Sequence, residues 1–173
     1  MCFFVTVAVP SQHAERIGDV FGRGFQTRPT ANASVTAALP AGYAARLVTS
    51  GMCSCDLYAR PRTAGAPDPA THLRRKYEKR GWSETKIKRA LEQAADDASK
   101  TNRATSGFRS DVLIGFEALC RAVGSVALLV HWYSGDVESE RLPLGQPRRC
   151  KCDELAAQAQ TLDEDEVLIA AAD

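Results

Sequence analysis

No stretch of this sequence approaches the roughly 18 consecutive apolar residues that a membrane-crossing helix needs. The best window, residues 123–132, is interrupted by Gly124, Ser125 and His131. An excess of charge of one sign is missing as well. The 22 basic residues face 21 acidic ones, a balance of +1 that gives the whole molecule no pull toward a polyanion or an anionic membrane, so any such preference has to be local. The apolar opening, residues 1–10, lacks a basic leader, is too short for a signal core and runs straight into Ser11 and Gln12. A soluble, cytoplasmic protein without a membrane partner is therefore expected. The sequence has no GXGXXG, P-loop, GXSXG or HEXXH, so the usual nucleotide, hydrolase and zinc-protease readings lack support and no catalytic constellation is recognised. It also has no repeat at a solenoid period.

What is present is an ordinary globular composition, 45% apolar and 25% charged, on 173 residues. That is chain enough for one hydrophobic core. A single α+β domain over 1–173 is expected, with a Pro/Gly-rich internal linker near 60–70 carrying Pro61, Gly65, Pro67 and Pro69. Residues 3–9, β-branched or aromatic at most positions, predict a strand. Pro10 stops it, and Ser11 can cap a helix over about 12–22, where Ala14, Ile17, Val20 and Phe21 fall at helical spacing. A loop with a helical turn near 34–39 leads to a second strand over 43–49, and residues 52–58 read as extended. Helices over 70–80 and 83–99 flank Gly81 and Trp82, with Ser83 placed to cap the second, and a further helix spans about 109–122. The nearly unbroken apolar run 125–133 predicts a central strand buried on both faces. Turn residues at 134–136 suggest a hairpin returning over 137–144 as an edge strand. Asp153 can cap a helix to about Gln160, and 167–169 is a last strand or a helical turn. The order predicts a mostly antiparallel sheet of roughly four to five strands, with helices on one face and a helical insert after strand two.

Cysteine carries the clearest chemistry. Of the 6 cysteines, four fall in matching segments, Cys53-Ser54-Cys55-Asp56 and Cys150-Lys151-Cys152-Asp153. A chain with core enough to fold without staples points to free thiols or metal thiolates rather than a disulfide framework. In extended backbone, residues i and i+2 share a face, so both sulfurs of a pair can approach one point. Two pairs can surround one tetrahedral zinc with Zn–S bonds of about 2.3 Å, stapling the loop after strand two to the last helix through Cys53, Cys55, Cys150 and Cys152. Zinc knuckles commonly space their cysteines more widely, and two rival readings stay open: thiols adjacent without metal, and unrelated buried cysteines. A third reading is thiol chemistry. Arg148, Arg149 and Lys151 and a nearby helix start would lower the pKa of Cys150 and Cys152, although His13, His72 and His131 belong to different elements and none is assigned as base. Cys2 and Cys120 read as core residues.

The strongest local field lies between positions 74 and 89. Arg74, Arg75, Lys76, Lys79, Arg80, Lys86, Lys88 and Arg89 face only Glu78 and Glu84, with Tyr77 and Trp82 interleaved. As a contact surface, Arg74, Arg75, Lys79, Arg80, Trp82, Lys86 and Arg89 would meet an acidic protein or a nucleic acid; as a solvated helical face they would meet water. His131 reads as a satisfied core histidine, with replacement of one thiolate as its alternative. The first functional expectation is a small binding or inhibitory protein, such as a bacterial toxin-neutralising immunity protein, in which the Cys-X-Cys segments are structural. A thiol-based enzyme or redox regulator and a metal-stapled nucleic-acid binder are the rivals.

Overall fold

The computed structural model describes residues 2–21, 24–59, 73–74, 77–78, 81–100 and 107–172. The chain divides into two compact units, one formed by 1–61 with 104–173 and the other by 62–103. The second unit covers part of the helical insert expected between the strands at 43–49 and 125–133; the helix expected over 109–122 belongs to the first unit. The single-domain reading drew no boundary around the second unit. The whole of the linker near 60–70 and most of the expected 70–80 helix lie outside the described residues.

The first unit is built on eight strands: β1 (Cys2–Pro10), β2 (Gln26–Pro29), β3 (Tyr43–Thr49), β4 (Tyr58–Ala59), β5 (Gly107–Phe108), β6 (Ser125–Tyr133), β7 (Arg148–Lys151) and β8 (Val167–Ala171). Six form one sheet in the order β2-β3-β1-β6-β8-β7, and β4 pairs with β5. Every ladder is antiparallel except β7 with β8. The α+β class and the mostly antiparallel sheet are as expected, with six strands in place of four to five. β2 was hidden because Gln26-Thr27-Arg28-Pro29 carries no apolar alternation, and its proline is tolerated on a strand that forms the sheet edge.

Period-2 alternation gives the sheet two apolar faces. Val5, Val7 and Val9 of β1, Val126, Leu128 and Val130 of β6 and Leu168 of β8 face one way. They pack against α1 (Arg16–Phe21), α4 (Ser110–Val123) and α5 (Leu155–Gln160). Further helices among the described residues are α2 (Ala33–Ala38) and, in the second unit, α3 (Glu84–Lys100). Ala8, Leu47, Leu129 and Ile169 face the opposite way and are covered by Val35 of α2 together with Val137 and Leu142. The helices α1, α4 and α5 share one face as expected, and the opposite face, also apolar in β1, β6 and β8, is closed by the short α2 with Val137 and Leu142. Gly115 lets α4 approach α1, since a Cβ there would stand 2.8 Å from the Phe21 ring. Gly124 ends α4 in the left-handed conformation at φ 80°.

The hairpin expected after β6 does not form, and β6 is flanked by β1 and β8. Residues 134–147 run as turn and irregular chain instead. The Glu140 carboxylate takes the N–H of Ser134 (3.0 Å) and Gly135 (2.8 Å), and the Asn32 amide donates to the carbonyls of Val137 and Glu140. Asp153 is not the cap of α5, whose N-cap is Glu154. Among the described residues no helix is long and apolar enough to cross a membrane.

Candidate functional site

The antiparallel pairing of β1 with β3 sets the site. Its ladder runs from Pro10↔Tyr43 to Val5↔Val48, so the chain leaving β3 emerges beside the first residues of β1. There it turns instead of continuing as the extended stretch expected over 52–58: the N–H groups of Leu57 and Tyr58 both donate to the Ser54 carbonyl, at 2.9 and 3.0 Å. Ser54 is fully buried and holds the turn in place. Its N–H donates to the Phe3 carbonyl (2.9 Å), while its hydroxyl accepts from the Val5 N–H (2.9 Å) and donates to the Val48 carbonyl (2.6 Å). The hydroxyl thus bridges the two strands at the end of their ladder, satisfying two buried backbone groups at once.

The residues flanking this anchor are turned the other way. Cys53 and Cys55 are half-buried, and Cys2, at the start of β1, joins them. One sulfur from each of Cys2, Cys53 and Cys55 lies within 4.8 Å of the others. The thiols tune one another. Burial works against ionisation of Cys53 but is outweighed by the Cys55 N–H and the Cys55 and Cys2 thiols directed at its sulfur, so its pKa falls below the ordinary 9.0. Cys55 is pushed up to about 11, first by burial and then by its neighbour Cys53. Asp56 accepts a long hydrogen bond from the Ser50 hydroxyl at 3.5 Å and adds negative potential at Cys53. Arg109, paired with Asp111, also feels Asp56.

The four cysteines expected to share an ion are not all brought together here. Cys53 and Cys55 come together with Cys2, and among the described residues no cluster of three or more metal-ligating side chains includes Cys150 or Cys152. Cys152 is bonded to Cys120 of α4 in a disulfide with Cα atoms 5.7 Å apart, which removes both from the free thiols expected of this chain. Cys150 is partly buried against the helix-covered core, and burial, followed by the charge of Glu154, raises its pKa. The basic neighbours singled out in the sequence do not offset this. Arg148 lies 3.8 Å from Glu166 and donates to the Gln158 carbonyl.

In the second unit, Arg74 pairs with Glu78 and Glu84, and Lys88 lies 3.9 Å from Glu92. Trp82 is stacked on Tyr77 at 4.5 Å between ring centroids, and the Lys86 ammonium sits 4.2 Å from the centre of its ring. Arg89 is exposed. Arg75, Lys79 and Arg80 lie outside the described residues. His131 is buried and far from acting as a thiolate substitute: its Nδ1 meets the Asp165 carboxylate, its Nε2 lies 3.6 Å from Glu140, and it groups with Glu164 and Asp165 rather than with any cysteine. Sequence reasoning missed Cys2 and Ser54. The signal for both was the pairing of the first two strands it identified: joined antiparallel, they bring the segment after Thr49 back to the start of β1. Compared with known proteins, the chain matches no family model, no curated protein and no solved structure.

Proposed function

We propose that this chain binds a thiophilic metal ion, zinc or monovalent copper, through Cys2, Cys53 and Cys55. One observation carries the reading: three sulfurs from two distant segments converge within 4.8 Å around a turn fixed by a buried serine. Sulfurs on a tetrahedral ion with bonds of about 2.3 Å stand about 3.8 Å apart, so small side-chain rotations bring these thiols to a common centre. An all-sulfur donor set selects soft ions over magnesium or calcium. Binding would displace the thiol protons and tie β1 to the turn after β3, so that the ion would also add stability. The half-exposed cysteines and the neighbouring Met52, 96% exposed, leave the ion open to exchange with solvent or with another thiol carrier.

The partner-binding reading of the basic segment has less to rest on. Among its described residues, Arg74 and Lys88 already face carboxylates and Trp82 is occupied by Tyr77 and Lys86. Those carboxylates offset part of the segment's charge, and exposed pairs of this kind are screened by solvent.

The test is anaerobic titration of metal-free protein with zinc and with monovalent copper against competing chelators, alongside Cys53→Ser and Cys150→Ser. One ion per chain, lost in Cys53→Ser and retained in Cys150→Ser, is the expected result. Absence of binding, or binding undiminished by Cys53→Ser, would overturn it.

A further inference from the structure

The sheet face opposite α1, α4 and α5 is closed unevenly. α2 and the segment from Val137 to Leu142 cover its middle. Between α2 and residues 142–147, toward the β8–β7 end, a groove of about 790 Å³ is left. That size falls within the ~300–1,000 Å³ of small-molecule sites. Its floor includes the buried Ile169 and Leu142, and the half-exposed Leu39 and Leu144 stand at its sides. Ala38, on the last turn of α2, keeps the space open, where a larger side chain would fill it. Ser34 and Gln146 also line it, so the groove has an apolar floor and a partly polar rim.

One charge belongs to the lining. Arg149, on the edge strand β7, is exposed, and among the described residues no carboxylate pairs with it. Its neighbour Arg148 differs, being held by Glu166 and the Gln158 carbonyl. A groove with leucine and isoleucine on its floor and sides, a partly polar rim and one uncommitted guanidinium at its end is complementary to a molecule with one apolar and one anionic end. A carboxylate can meet that guanidinium through two parallel hydrogen bonds.

We infer that this groove binds a small amphipathic carboxylate, its unbranched acyl chain lying on Leu39, Leu144 and Ile169 and its carboxylate on Arg149. The groove shares no residue with the cysteine site and stands whether or not an ion binds there.

Calorimetric titration of the full chain with hexanoate, octanoate and decanoate below their micelle thresholds, and with decanol and decylammonium, tests the assignment. One site per chain is expected, tightening about fourfold per added methylene. Decanoate should bind about tenfold more tightly than decanol, and Arg149→Gln should erase that difference while leaving decanol unchanged. Ala38→Phe should abolish binding, with backbone amide spectra showing that both variants remain folded. Decylammonium binding as tightly as decanoate, affinity independent of chain length, or amide shifts that map away from α2 and β7 would each overturn it. So would a dimer that Ala38→Phe dissolves, which would make the occupant a second copy of this chain.

Discussion

Cys53-Ser54-Cys55-Asp56 and Cys150-Lys151-Cys152-Asp153 differ only at their middle residue, yet the structure turns them in opposite senses. In the first, Ser54 is buried and the two cysteines flank it half-exposed; in the second, Lys151 is exposed and the cysteines face the core. A hydroxyl can be buried between two strands because it both donates and accepts, here to Val48 and from Val5. An ammonium cannot be buried there without a partner to offset its charge. The backbone differs accordingly. The first segment is a turn beyond the end of the β1–β3 ladder, whereas Cys150 and Lys151 are paired with Ala170 and Ala171 of β8. Thiols directed outward find each other and Cys2. Of the pair directed inward, Cys152 finds Cys120.

The largest effect should come from the inward pair. Replacing Cys120 and Cys152 together with alanine removes a cross-link between residues 32 apart in sequence. Loop entropy puts its contribution at about 3–5 kcal/mol. Urea unfolding of the double variant should show that loss while zinc and copper titrations remain unchanged. A variant that also lost the ion would show that the two segments are not independent. The outward pair should respond in the reverse way. Ser54→Ala leaves the Val5 N–H and the Val48 carbonyl buried without the hydroxyl that satisfied them, at about 1–3 kcal/mol for each unpaired group. Urea unfolding should show a loss of at least about 2 kcal/mol, together with weaker metal binding, although no sulfur has been touched. Unimpaired metal binding in Ser54→Ala would mean that the cysteines hold their positions without the anchor.

The comparison also explains what could be read from the sequence. Two identical C-X-C-D patterns invite a common role, and face alternation within a strand supports it, but which face each pair takes is set by partners far away in the chain. Cys2 is 51 residues from Cys53, and only the β1–β3 pairing brings them together. Strands with strong apolar patterns, β1, β3 and β6, were legible, as were α4 and the start of α3. β2 was not, because its residues are polar and it is held by β3 alone. The hairpin after β6 failed for the opposite reason. Val137, Leu142 and Leu144 look like strand residues, but they cover a sheet face that β1, β6 and β8 leave apolar, and a covering segment does not need a ladder.

Thiol reactivity in metal-free protein gives a finer separation. Cys53 sits below its ordinary 9.0 because the Cys55 N–H and the thiols of Cys55 and Cys2 outweigh its burial, while Cys150 sits above it because of burial and Glu154. The thiolate is the reacting species, so the pH–rate profile for iodoacetamide at Cys53 should lie to the acid side of a free cysteine and that at Cys150 to the alkaline side. Mass spectrometry of partly labelled protein reads both. Cys55, raised to about 11, favours the fold while neutral. Its contribution to stability is therefore complete below pH 9 and is lost as pH rises through about 11. Cys53 has the opposite sign, its contribution being present above its ordinary value and lost as pH falls. Equal rates at Cys53 and Cys150 would remove the electrostatic part of the contrast.

The smallest effect is the sharpest test of cause. Lys151→Ser makes the two segments identical in sequence. If the middle residue alone chose the facing, Cys150 and Cys152 would turn outward and a second soft-metal site would appear. The ladder argues against this. Cys150 and Lys151 are held in register with β8, the Lys151 N–H is taken by Glu154 at 3.0 Å, and neither restraint involves the lysine side chain. Stability should therefore change by less than about 0.5 kcal/mol. Ion stoichiometry should stay at that of the parent protein, and Cys152 should remain protected from labelling until the disulfide is reduced. A second bound ion in Lys151→Ser would mean that a buried hydroxyl can rebuild the turn by itself, and that the strand at β7 depends on its lysine being unable to enter the core.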